Sequence, residues 1–194
     1  MPETIRILVA DDHPIVRDGL VAILDTQDDF EVVGQAGNGH EALDHIASLT
    51  PDVLLLDLEM PEVDGLAVLE SLRDNNSNVR VIVFTVFDTD DRILSAIRTG
   101  AKGYLLKGAP REEIFNAVRI VHQGGSLLQP IVASRLLEHV NRSGDDPDAL
   151  TPRELEVLPL IAFPRQGPFP SAIGNFLPGS QSPHHTDTGA FDSV

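Results

Sequence analysis

No cysteine occurs in the 194 residues. Disulfides, thiolate zinc sites and cysteine nucleophiles are therefore excluded. Lysine is almost as scarce: only Lys102 and Lys107 are present, so each position is informative. Basic residues number 14 against 30 acidic ones, a formal net charge of −16. So acidic a chain is repelled by phosphate backbones unless its few cations cluster. No apolar run approaches the ~20 residues needed to span a bilayer. The first residues lack the basic and apolar regions of a signal peptide. The expected compartment is the cytoplasm.

What is present is a core and a rhythm. The hydrophobic fraction of 42% suffices for one ordinary domain plus something smaller. Five short apolar runs recur, at Ile5–Ala10, Glu31–Gln35, Val53–Asp57, Val79–Thr85 and Gly103–Leu106. Between them lie apolar residues at helical spacing: Val16, Leu20 and Ile23; Leu43, Ile46 and Ala47; Leu66, Leu69 and Leu72; Ile93 and Ile97; Ile114, Val118 and Val121. Leu54-Leu55-Leu56 and Val81-Ile82-Val83-Phe84 do not alternate, as expected of strands buried on both faces. The pattern predicts an α/β fold of the flavodoxin-like, doubly wound type, with a five-stranded parallel sheet.

In such a sheet, ligands bind beyond the carboxyl ends of the strands. Asp11 and Asp12 follow the first predicted strand, Asp57 ends the third, Thr85 ends the fourth and Lys107 follows the fifth. Residues far apart in sequence thus converge on one edge. Three carboxylates repel one another unless a cation joins them. All-oxygen ligands suit a hard divalent ion, and magnesium prefers few carboxylates supplemented by water and phosphate oxygens. Lys107 can pair with Asp57 and then with a phosphoryl oxygen, and the Thr85 hydroxyl can bond another. A nucleophilic carboxylate, a metal and charge-stabilising donors are the parts needed to transfer a phosphoryl group to an aspartate.

The segments ILVADDHPIVRDGL, DVLLLDLEMPEVDGL, VIVFTVF and GAKGYLLKG resemble those of bacterial two-component response regulators of the NarL/FixJ group. They span about Ile5 to Gly125, and their order and spacing are specific. The resemblance implies a receiver domain at 1–125 whose Asp57 attacks the phosphorus of a phosphohistidine on a sensor histidine kinase. It implies Mg2+ held by Asp12 and Asp57, with Asp11 helping and the main-chain carbonyl of Glu59 completing the protein ligands. Thr85 and Tyr104 match the family's switch pair, and Pro61 and Gly65 match the loop after the phosphoacceptor. Dimerisation, through the surface carrying Tyr104 or through the helix starting at Pro14, stays open.

Each residue has a plainer reading. Asp11 and Asp12 could cap the next helix, Asp57 could simply end a strand, Lys107 could be solvated, and Tyr104 could be core. Their joint occurrence outweighs these readings. His13 is given a structural role because the family's metal site uses oxygens, and Asp64, Asp88, Asp90 and Asp91 are read as acidic surface near the site.

Beyond the receiver, 126–149 reads as a linker containing a short helix, Pro130–Val140. The segment 150–162, LTPRELEVLPLIA, resembles the first helix of a LuxR-type helix-turn-helix, which implies DNA binding. From Ala162 the family pattern stops. Residues 163–194 are rich in Pro, Gly, Ser and His and are expected to be disordered. From Leu150 onward only Arg153 and Arg165 could meet phosphate, against Glu154, Glu156, Asp187 and Asp192. The abrupt change of text suggests a shifted reading frame. Two functions compete: a phosphorylated transcription regulator, and an output-less receiver acting as phosphoryl acceptor or interaction module. A phosphatase-like enzyme would share the chemistry, but no residue set offers substrate specificity, so the chain is not expected to be an enzyme.

Overall fold

The computed structural model describes residues 4–86 and 89–142. Strands and helices alternate throughout: β1 (Ile5–Ala10), α1 (Pro14–Leu24), β2 (Phe30–Ala36), α2 (Gly39–Leu49), β3 (Val53–Leu56), α3 (Gly65–Asp74), β4 (Arg80–Thr85), α4 (Asp90–Thr99), β5 (Gly103–Leu106), α5 (Arg111–His122), β6 (Leu127–Leu128) and α6 (Pro130–Arg142). The strands form one sheet in the order β2-β1-β3-β4-β5-β6, and every pairing is parallel. The chain steps outward from β1 to β2, then crosses back to β3 on the other side. The reversal between β1 and β3 opens the crevice where doubly wound sheets bind ligands.

The sheet divides the core in two, as the unalternating strands require. Leu54 and Leu56 join Leu8, Val81, Val83 and Tyr104 on the face covered by α2, α3 and α4. Val53 and Leu55 join Ile7, Val9, Ile82, Phe84 and Leu105 on the face covered by α1 and α5. Burying each such side chain stabilises the fold by about 1.5–3 kcal/mol before entropy is subtracted. Helix α2 shows how local chemistry sets an element's start. Asn38 accepts a hydrogen bond from the Glu41 N–H at 2.9 Å, while the Glu41 carboxylate reaches back to the Gly37 N–H at 2.7 Å.

Two details differ from the sequence reading. The sheet has six strands rather than five, because Leu127–Leu128 pairs with Gly103–Tyr104; two residues are too few to display any period. In α2 the buried alanine is Ala42, whereas Ala47 is exposed. The inward face of that helix lies one position round from the expected stripe. The short helix predicted from Pro130 is present as α6 and runs to Arg142. The predicted output helix 150–162 and the tail 163–194 lie outside the described residues.

Candidate functional site

Among the described residues only three buried side chains are polar or charged: Asp11, Asp57 and Thr85. All three stand at the carboxyl ends of central strands. Burying an unpaired charge is costly, so a partner is required, and Lys107 supplies it. Its Nζ lies 2.6 Å from Asp57 Oδ2 and 2.9 Å from Asp11 Oδ2. Burial by itself would lower the Lys107 pKa, but the negative carboxylates of Asp57 and Asp11 beside it outweigh that effect and raise it. The ammonium therefore stays charged.

Backbone bonds hold this group in register. The Asp57 N–H donates to Ala10 O at 2.9 Å, and the Lys107 N–H donates to Thr85 O at 2.7 Å. Thr85 thus closes β4 beside the lysine, and Tyr104 lies fully buried two strand positions before Leu106. Glu59 has its side chain in solvent, and its N–H turns toward Asp57 Oδ1 at 3.3 Å.

The loop from Leu58 to Asp64 depends on close backbone packing. Gly65 opens α3 hard against β3: a Cβ there would lie 2.2 Å from Asp57 O and 2.8 Å from Leu58 Cα. The Gly65 N–H donates to Leu58 O at 3.0 Å. Just before it, the Val63 N–H bonds back to Pro61 O at 2.8 Å, which forces Glu62 to a φ of 66°. Asp64, read from sequence as solvated surface, has a local task. Its carboxylate caps α3 through the Ala67 N–H at 2.9 Å.

Asp11 and Asp12 do not cap α1; His13 is the capping residue, and it does so without a side-chain bond. Instead Asp11 Oδ1 accepts the His13 N–H at 2.9 Å, leaving Oδ2 toward Lys107. Ligand atoms of Asp11, Asp12, His13 and Asp57 all lie within 4.8 Å of one another. His13 Nδ1 is 2.6 Å from Asp12 Oδ1. That contact and the Lys107–Asp11 contact are short but off hydrogen-bond geometry, so Asp11 Oδ2 and Asp12 Oδ1 are buried with unspent lone pairs. Three carboxylates face one ammonium here. The surplus negative charge and the three carboxylates among these donors fit a hard divalent cation.

Sequence reasoning missed three residues that tie this site to its surroundings. Arg17 on α1 donates to Asp11 O at 2.6 Å. Arg92 on α4 donates to Leu58 O at 3.2 Å and faces Asp64 at 3.6 Å. Gln129 bonds the Leu106 N–H, one residue before Lys107, at 2.8 Å. Arg17 fell within the DDHPIVRDGL segment and could have been noticed. Nothing in the spacing marks Arg92 or Gln129.

A family model, that of the response regulator receiver domain, matches residues 7–119. The chain belongs to the response regulators. It is 39% identical over 166 residues to the oxygen regulatory protein NreC of Staphylococcus carnosus, covering 81% of this chain and 76% of that one. It is 40% identical over 161 residues to the transcriptional regulatory protein LiaR of Bacillus subtilis, with the same coverage. Among solved structures, the receiver domain of the putative response regulator NarL from Mycobacterium tuberculosis aligns with a TM-score of 0.61 and 39% identity. That match covers 63% of this chain and 99% of the NarL domain. The response regulator fold, the acidic pocket and the half-buried lysine thus stand together in a phosphoacceptor of two-component signalling. Receiver domains bind Mg2+ at such an acidic site. No helix among the described residues is long and apolar enough to cross a membrane.

Proposed function

We propose that Asp57 is the phosphoacceptor, taking a phosphoryl group from a phosphohistidine on a sensor histidine kinase. The observation that carries this reading is the contact of the buried Asp57 Oδ2 with the Lys107 ammonium at 2.6 Å inside an acidic pocket. With Lys107 engaged on Oδ2, Oδ1 holds only a long bond from the Glu59 N–H at 3.3 Å. Oδ1 is the freer nucleophile. Its lone pair forms the new P–O bond as the P–N bond to the donor imidazole breaks, and the electron pair leaves on that nitrogen. Lys107 then follows the negative charge onto a phosphoryl oxygen, where a fixed cation stabilises the developing charge. The Thr85 hydroxyl donates to a second oxygen, and Tyr104 is its partner in reporting the change.

Asp11, Asp12 and Asp57, with the main-chain carbonyl of Glu59, are the residues that would hold Mg2+. Bound there, the ion would supply positive charge to offset the carboxylates and the transferred phosphoryl group. Regulation of transcription is the proposed descent of the chain, since LiaR carries that description. We assign residues 1–125 to the receiver and 126–149 to a linker, with DNA contact through 150–162 the output to be tested. The cytoplasm, where a sensor kinase presents its phosphohistidine, is the proposed compartment.

The test is intact-mass analysis of the full chain after incubation with acetyl phosphate and Mg2+, beside Asp57→Asn. One added phosphoryl group in the wild type and none in the variant supports the reading. Equal addition to both, or none to either, overturns it.

A further inference from the structure

Gln129 sits where three elements meet. Its Oε1 accepts the Leu106 N–H at the end of β5, at 2.8 Å. Its Nε2 donates to Glu113 Oε2 on α5 at 2.9 Å. Its main-chain N–H reaches Tyr104 O at 3.3 Å, and its main-chain O accepts the N–H groups of Val132 and Ala133 at 2.9 and 3.0 Å. Those last bonds make Gln129 the residue that opens α6, with Pro130 at the first helical position. One side chain therefore grips β5 and α5, while the same residue's backbone starts the linker helix.

The packing points the same way. Leu128 and Val132 are buried in the same cluster as Tyr104, Ile93 and Leu94. Helix α6 thus covers the face built by α4 and β5, and its first turn rests on the core that contains Tyr104.

We propose that Gln129 is a positioning residue that couples the state of Asp57 to α6. This rests on the reading of Asp57 as phosphoacceptor. Lys107 touches Asp57 Oδ2 and Asp11 Oδ2. A phosphoryl group added to Asp57 replaces one of those contacts with an oxygen farther from the strand end, and the ammonium must follow. Lys107 is covalently next to Leu106, whose N–H is held by Gln129 rather than by a neighbouring strand. The amide of Gln129 has no slack, because its other end is fixed by Glu113. A shift at the end of β5 then leaves two outcomes: the hydrogen bond from the Leu106 N–H to Gln129 Oε1 breaks, or Gln129 moves and takes the start of α6 with it. Either one loosens α6 from α4. In a packed core such elements change between discrete arrangements rather than bending continuously.

Hydrogen exchange of the full chain, with and without acetyl phosphate and Mg2+, tests this. Peptides spanning 127–138 are followed, and intact mass records the phosphorylated fraction in each sample. In the wild type, exchange in these peptides rises about threefold or more on phosphorylation, the scale of one hydrogen bond lost. Gln129→Met, similar in length but without the polar atoms, takes up the phosphoryl group as the wild type does. Its α6 peptides no longer respond to that group. Glu113→Ala, at a half-buried position in the first turn of α5, cuts the other end of the bridge and lowers the response while the core residues stay in place. Phosphoryl uptake with unchanged α6 exchange in the wild type overturns the coupling alone. A full α6 response in both variants also overturns it. No phosphoryl uptake at Asp57 in the wild type overturns the acceptor reading and this proposal together.

Discussion

Lys107 Nζ bridges Asp57 and Asp11, at 2.6 Å and 2.9 Å, across strand ends that are 50 and 96 positions from it in sequence. Each contact neutralises part of a charge the fold has buried, but one ammonium cannot balance three carboxylates. The pocket is therefore under electrostatic strain until another cation arrives.

Removing one carboxylate should relieve that strain. Asp12→Asn keeps the shape of the side chain and removes one negative charge. We expect the metal-free variant to be more stable than the wild type by about 1 kcal/mol, the usual gain when a functional site gives up a like-charge conflict. The wild type should gain stability as Mg2+ is added, by mass action, and the variant far less. Thermal melts across a Mg2+ series measure both. A variant that melts below the wild type without metal, or that gains as much from Mg2+, refutes the account.

Gly65 tests the loop geometry. The Cβ of Gly65→Ala would lie 2.2 Å from Asp57 O, and that neighbour is backbone, not a flexible side-chain end. Helix α3 must therefore move away from the acceptor strand. Overpacking of this kind costs about 2 kcal/mol. Urea unfolding should show that loss, and phosphoryl uptake from acetyl phosphate should slow, because the displaced segment begins at Asp57. Wild-type stability in Gly65→Ala would mean that the close approach is not real.

Glu62 carries the opposite prediction. Its side chain is exposed, yet its backbone sits at a φ of 66°. The left-handed region costs a residue with a Cβ roughly 1–2 kcal/mol. Glycine removes that cost but gives back about 0.4–1 kcal/mol through the freedom of the unfolded chain. The strain term is the larger, so Glu62→Gly should stabilise by under about 1 kcal/mol. Chemical denaturation of the pair decides it, and a clear loss would show the turn to be unstrained.

How far the sequence spoke depended on what kind of signal each feature leaves. The alternation of elements was legible because buried parallel strands such as Leu54–Leu56 write an unbroken apolar run. The convergence of Asp11, Asp57, Thr85 and Lys107 was legible because topology alone brings strand ends together. Glu62's φ and the Arg92 contact to Leu58 O left no trace, since a backbone carbonyl can be met by any donor that happens to reach it. Strand β6 is set by Gln129 and its neighbours packing against β5, a tertiary fact that two leucines cannot announce.

Arg119 and Asp29 give a pH test away from the pocket. The guanidinium meets the carboxylate through two bonds of 2.7 Å and lies 4.7 Å from the centre of the Phe30 ring. Its hydrogen bond holds the Asp29 carboxyl below the ordinary aspartate value, against a smaller upward push from burial. A carboxyl lowered by folding stabilises the native state above its unfolded pKa, and that contribution disappears as pH falls through the folded value. Both side chains remain about a third exposed, so solvent screening limits the pair to about 1 kcal/mol or less. Asp29→Asn should therefore melt below the wild type at pH 7, and the gap should narrow as pH drops below about 4, the ordinary aspartate value. Urea titrations of both proteins at pH 7 and at successively lower pH measure it. A gap that is constant with pH would assign the contribution to packing on Phe30 instead of to the ion pair.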